Sequence, residues 1–173
     1  CMLAAFASAL PCQQGGATSS QRSVVVAETL YTMTGEPLKN AFVLIENGKI
    51  TAIGDAAKMP ESVDVTRVKV ATPGLIDAHS TVGLTGVLNV PHDQDHLEKS
   101  SPMQPELRAV DAFHPRDPLV EWVRGLGVTT LHTGHSPGSL LSGQTMVIKT
   151  HGRSVDQDVV RPLAMVAVTL ADS

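Results

Sequence analysis

Aromatic residues are nearly absent: one Trp, one Tyr and three Phe make up 3% of 173 residues. A chain so poor in rings offers no stacking platform for nucleic-acid bases. Its core must come from Val, Leu, Ile, Ala and Met. Cysteine is equally scarce. Cys1 and Cys12 are the only two, so the residues beyond them hold neither a disulfide framework nor a thiolate metal site. Positive charge is not in excess either. Thirteen Lys and Arg face seventeen Asp and Glu, a formal net charge of -4, which gives no pull towards nucleic acid or an anionic membrane. The apolar start, "CMLAAFASAL", is about ten residues long, where a membrane-spanning helix needs about 20.

That apolar start suits the hydrophobic region of an export signal, with Ala7-Ser8-Ala9 as a small-x-small cleavage site. It predicts export to the periplasm or the extracellular space. The basic segment that would precede it is missing and the first residue is not Met, so the sequence reads as cut at its start. "QQGGATSSQ" (13–21) has linker composition. Residues 1–22 are therefore read as leader and linker.

From Ser23 the pattern is β. "SVVVAETLY" is a Val-rich strand, and "AFVLIENGKITAIG" is two strands joined at Asn47-Gly48, a dipeptide that favours a tight hairpin. "VDVTRVKVA" alternates apolar and polar residues as a half-exposed strand does. Residues 23–72 read as a small antiparallel β unit.

The character changes at Pro73. "GLIDAH" is a short apolar run, expected of a strand covered on both faces. A loop over about 80–104 follows. "RDPLVEWVRGLG" then places Leu119, Val120, Val123 and Leu126 on one helical stripe, with Trp122 read as core and Gly125 and Gly127 as stop signals. "VTTLHTG" is a second buried strand. Strand, helix and parallel strand form one crossover unit. "SLLSGQTMVIKTHG" returns to β character, and "RPLAMVAVTLA" is apolar without a clear period.

The combination of "IENGKITAIG" with "VATPGLIDAH" resembles the metal-dependent amidohydrolases, especially the imidazolonepropionase-like branch. "GVTTLHTGHSPGSLLSGQTMVIKTHG" is similar to the second barrel strand and following hairpin of that branch. The resemblance runs from Ser23 to the end. It implies an α/β fold: a small β-sandwich part over 23–72 and the first units of a (β/α)8 TIM-type barrel over 73–173. About 100 residues lie beyond Thr72 where a closed barrel takes about 250, so an incomplete barrel is expected, an N-terminal fragment of a larger protein. The later ligands that the resemblance implies, a bridging lysine, two more histidines and a catalytic aspartate, cannot be placed.

The same resemblance implies a divalent metal, zinc being the first expectation. Residues i and i+2 of a strand share a face, so His-x-His at the end of a barrel strand aims two imidazoles at one point. The metal lowers the pKa of bound water to about 7 and polarises the substrate carbonyl. Here His79 matches the first histidine, but Thr81 stands at the second, and a hydroxyl is a poor replacement for imidazole on zinc. Three outcomes stay open: His79 with ligands from elsewhere, a site re-formed by His79, His132 and His135, or a dead site. Asp77 shares the face of His79 and is expected to orient backbone.

Weaker candidates lie in the loop. His92 and His96 are four apart, but Pro91 and polar neighbours favour substrate contact over metal. Arg108 is the side chain that would grip a substrate carboxylate. "GSLLSGQT" imitates a phosphate loop with Gln144 at the lysine position, which removes its main support. The expectation is a hydrolase of non-peptide or cyclic-amide carbon–nitrogen bonds, with a small-molecule substrate and no membrane span. The alternative is a non-catalytic descendant that binds a ligand or partner, its metal site lost through Thr81.

Overall fold

The computed structural model describes residues 22–61, 64–88 and 90–170. The expected leader and all of the linker up to residue 21 lie outside them. The chain divides into two compact units, one ending at Pro73 and the other beginning at Gly74.

The first unit is a four-stranded sheet of β1 (Arg22–Leu30), β2 (Leu38–Glu46), β3 (Lys49–Asp55) and β4 (Asp64–Ala71), in the order β3-β2-β1-β4. Asn47 and Gly48 both take positive φ, 52° and 75°, the backbone that a two-residue hairpin needs to match strand twist. β1 pairs with β2 antiparallel. It pairs with β4 parallel, Val24 opposite Val65 and Leu30 opposite Ala71. The expected all-antiparallel unit is therefore corrected. After β3 the chain crosses over by way of a 3₁₀ turn, Ala56–Lys58, capped by the Asp55 carboxylate on the Ala57 N–H, and reaches the free edge of β1. A parallel neighbour needs such a crossover. Alternation along the strands gives this sheet two apolar faces. Val24, Val26, Phe42 and Leu44 are buried on one, with Ala52, Ala56 and Met59 against them. Ala27, Leu30, Ala41 and Val43 form the other cluster.

The second unit builds on β5 (Leu75–Ser80), α1 (Ala109–Ala112), α2 (Pro118–Gly125), β6 (Val128–Thr133), β7 (Leu141–Gln144), β8 (Met146–Lys149), α3 (Val155–Asp158), β9 (Val159–Arg161) and β10 (Val166–Val168). β5 and β6 are parallel and joined through α2. α2 begins where Asp117 caps the Leu119 N–H at 2.6 Å and Pro118 fills the first turn, where no N–H is required. Val120 packs inward, whereas Trp122 is 61% exposed and Leu126 60%. The inward reading of those two is corrected: at eight residues, α2 buries only the narrow line through Val120.

Elsewhere the expected strand–helix alternation fails. β8 lies antiparallel against β6, and β9 antiparallel against β8, giving the order β5-β6-β8-β9. β7 pairs with β10 in a separate ribbon. The described residues are mostly strand with few helices. Leu84, Ala109, Phe113, Val120, Leu131, Met146 and Ile148 form the core of this unit. Gly83 lies against it at φ 83°, where a Cβ would come within 2.1 Å of the Phe113 ring. Behind β8 the fully enclosed Asp158 carboxylate accepts from the Arg153 backbone, its guanidinium and the His151 ring. Burial alone would raise its pKa; those donors outweigh it and hold the carboxyl below its usual range. No helix among the described residues is long and apolar enough to cross a membrane.

Candidate functional site

The parallel pair β5 and β6 brings two strand ends together. Their register runs Asp77 opposite Leu131 and Ser80 opposite Thr133, with an irregularity between. His79 falls in that irregularity, and its ring is exposed. The Asp77 carboxylate accepts from the His79 backbone N–H at 3.2 Å, so Asp77 holds the strand end as expected.

Leaving the ladder frees the Ala78 carbonyl, and a side chain takes the place of the missing backbone partner. His132 Nδ1 lies 2.7 Å from the Ala78 oxygen, and its Nε2 lies 2.8 Å from the Thr145 hydroxyl. A carbonyl only accepts, so Nδ1 carries the proton and donates. In the neutral ring Nε2 then accepts from Thr145. Both nitrogens of His132 are committed to structure. Its ring stands 5.9 Å from that of His79, tilted by 56°, close enough to shape the surroundings of His79 without offering a free nitrogen.

Thr81 is also engaged. Its hydroxyl accepts from Thr85 Oγ1 at 3.0 Å, and its carbonyl accepts from the Leu84 and Thr85 N–H groups. Among the described residues no three His, Cys, Asp or Glu side chains come together as a metal-holding group. The cluster of His79, His132 and His135 is therefore not assembled. The physical reasons are the committed ring of His132 and the separate burial of His135.

His135 is 6% exposed, and neither ring nitrogen has a hydrogen-bond partner. Burial pushes its pKa down; the nearby Leu107 carbonyl opposes this and His96 adds to it. The ring lines a cleft of about 370 Å³ with Asp95, Glu98, Glu106, Arg108 and Asp111. Arg108 grips Asp111 through two hydrogen bonds, at 2.8 and 2.6 Å. This lowers the Asp111 pKa and raises that of Arg108. His92 sits exposed in a 3₁₀ turn, Pro91–Asp93. His96, its expected helical companion, instead places Nδ1 2.6 Å from Ser136 Oγ. Gln144 lies in β7 and donates to the Pro105 carbonyl, as a strand residue rather than part of a phosphate loop.

Several participants carried no signal in the sequence. Thr145 is an ordinary threonine thirteen residues from His132. Ser80 presents a buried hydroxyl without a partner. His114 meets Asp95 at 3.2 Å across nineteen positions. Such pairs form by folding and leave no periodic trace.

No family model matches the chain. Two curated proteins do: the amidohydrolase tasK of Hapsidospora irregularis, 27% identical over 135 residues, and the 5'-deoxyadenosine deaminase of Methanosarcina barkeri, 38% identical over 68 residues. The first match covers 75% of this chain and 14% of the relative, the second 35% and 15%. The crystal structure of an amidohydrolase from Thermotoga maritima superposes with a TM-score of 0.80 at 27% identity, over 87% of this chain and 39% of that one. The chain belongs to the amidohydrolase superfamily. It spans about a seventh of the curated superfamily members it matches, and the share of the solved amidohydrolase is larger but still under half. The exposed His79 thus stands at a strand end in a chain whose fold an amidohydrolase shares.

Proposed function

We propose that this chain contributes to a hydrolase that cleaves carbon–nitrogen bonds in small amide or cyclic-amide substrates. The observation that carries the reading is the exposed imidazole of His79 at the C-terminal end of β5, parallel to β6, in an amidohydrolase-like fold. On this reading β5, α2 and β6 are the first unit of a (β/α)8 barrel, and the Ala-rich start is an export leader.

The family implies a divalent metal, zinc in the first instance. His79 fits as one ligand, since no hydrogen bond occupies its ring among the described residues. Thr81 does not fit, because its hydroxyl is a weak donor to zinc and already serves Thr85. A metal held here would supply an activated water and a polarised carbonyl. This chain's own part is positioning: Asp77 fixes the strand end, and His132 spans the irregular step beside it. One imidazole is not a site, so these residues alone are not expected to catalyse.

The engaged Thr81 favours a second reading, a non-catalytic amidohydrolase fold that binds a ligand or partner. Elemental analysis after zinc loading distinguishes the two. Under the hydrolase reading the protein retains about one equivalent and His79→Ala releases it. Retention below about a tenth of an equivalent, with no amide hydrolysis, leaves the binding reading standing.

A further inference from the structure

Most polar side chains buried in this molecule have a partner. His135 does not, and its surroundings show what it lacks. Gly143 at φ 132° faces the Nε2–Cδ2 edge of the ring; a Cβ there would meet Nε2 at 2.5 Å and the Leu107 carbonyl at 2.6 Å. Glycine thus lets the ring seat deeply, and Nδ1 lies on the edge away from it. A buried ring nitrogen without a partner loses its hydration and gains nothing in return.

The walls of the cleft are acidic. Asp95, Glu98, Glu106 and Asp111 line it against one cation, Arg108. Asp111 already neutralises Arg108. Asp95 shares its charge with His114, and Glu98 accepts from the Ser100 N–H at 2.6 Å. An N–H group leaves Glu98 its charge, and no ion pair is formed by Glu106. Leu97, Leu107 and Ala112 give the cleft an apolar side. Three or more carboxylates do not converge closely enough with His135 to cage a metal ion, so the missing charge suits a cation that brings its own N–H donors and a carbon skeleton.

We propose that the cleft at His135 binds a small organic cation, an alkylammonium or guanidinium compound, whose N–H donates to His135 while its charge faces Glu98 and Glu106. The alkyl portion lies against Leu97, Leu107 and Ala112. The arrangement stands on the cleft alone and does not require the protein to be a hydrolase. A carboxylate ligand is disfavoured, since the only guanidinium in the cleft is already bidentate with Asp111.

The test is titration of the protein with butylammonium chloride, with 1-butanol and sodium butyrate as matched neutral and anionic probes. The histidine ring carbon–proton signals are followed by NMR at constant ionic strength. Saturable binding of butylammonium, with the His135 signal moving and affinity about tenfold above that of butanol, is the expected result. Glu106→Gln and Glu98→Gln, which keep side-chain shape on an exposed wall, should each weaken it about threefold. Three results overturn the proposal: a linear, non-saturating response, butyrate binding as tightly as butylammonium, or unchanged affinity in the variant carrying both substitutions.

Discussion

A single hydroxyl shows how much the candidate site depends on residues outside its motif. Thr145 is 1% exposed, lies 2.8 Å from His132 Nε2 and receives the Met165 N–H at 3.3 Å. Thr145→Val keeps the shape and removes both. It leaves a buried acceptor and a backbone donor unpaired, which costs about 1–3 kcal/mol. The urea midpoint should fall accordingly, and the His132 Nε2 nitrogen resonance should shift. His135 provides the second prediction at this scale. Burial lowers its folded pKa below the unfolded value. The unfolded chain therefore binds the proton more readily. Stability is undiminished above about pH 6.5, the ordinary histidine pKa, and declines as the pH falls from there towards the folded pKa. His135→Phe removes that component, so its unfolding free energy should vary less with pH between 7 and 5 than that of the parent protein. An equal slope in the two proteins would show that His135 does not titrate differently on folding.

At the scale of elements, two glycines with positive φ predict unequal losses. Gly48 in the β2–β3 turn has open space around its missing side chain, so Gly48→Ala meets only backbone strain, about 1 kcal/mol. Gly83→Ala meets the same strain and also the Phe113 ring, which is fixed in the core of the second unit. That adds an overpacking cost of about 1–3 kcal/mol. Chemical denaturation should rank them in that order; equal losses would mean that the Phe113 ring yields freely. The contrast also shows what a sequence can disclose. Asn47-Gly48 and Asp117-Pro118 were readable because the turn and the helix start are decided by adjacent residues. β4 was readable as a strand but not as a parallel neighbour of β1, since its partner lies about forty positions away. β8 failed similarly: nothing in "MVIK" says that it will lie antiparallel on β6. Trp122 misled because a helical stripe fixes a face without fixing how much of it is covered. His79 was legible as a presented imidazole. The commitment of His132 to Ala78 was not, because the acceptor exists only once the β5–β6 register slips.

At the scale of the molecule, the sizes of the two cores set a further expectation. The first unit has about fifty described residues and small clusters on the two faces of one sheet, a size at which a single core rarely supplies more than about 3–5 kcal/mol. One of those faces still leaves Ile50 65% exposed and Ile53 45% exposed, around an apolar recess of about 310 Å³ bounded by Val25, Leu30, Val43 and Ile45. Phe42 is the largest side chain in the opposite cluster. Phe42→Ala removes about 3–5 kcal/mol, which is the whole margin of this unit. Leu131→Ala, in the core of the second unit, removes a comparable amount, about 2–5 kcal/mol, from a cluster that also draws on Met146, Ile148, Phe113 and Val120. Hydrogen exchange followed by peptide should therefore show Phe42→Ala abolishing protection in β1 and β2 while β6 and β8 keep theirs. Leu131→Ala should lower protection in β6 and β8 without abolishing it. If Phe42→Ala instead strips protection evenly from both units, the two cores fold as one, and the exposed imidazole of His79 depends on the sheet that precedes it.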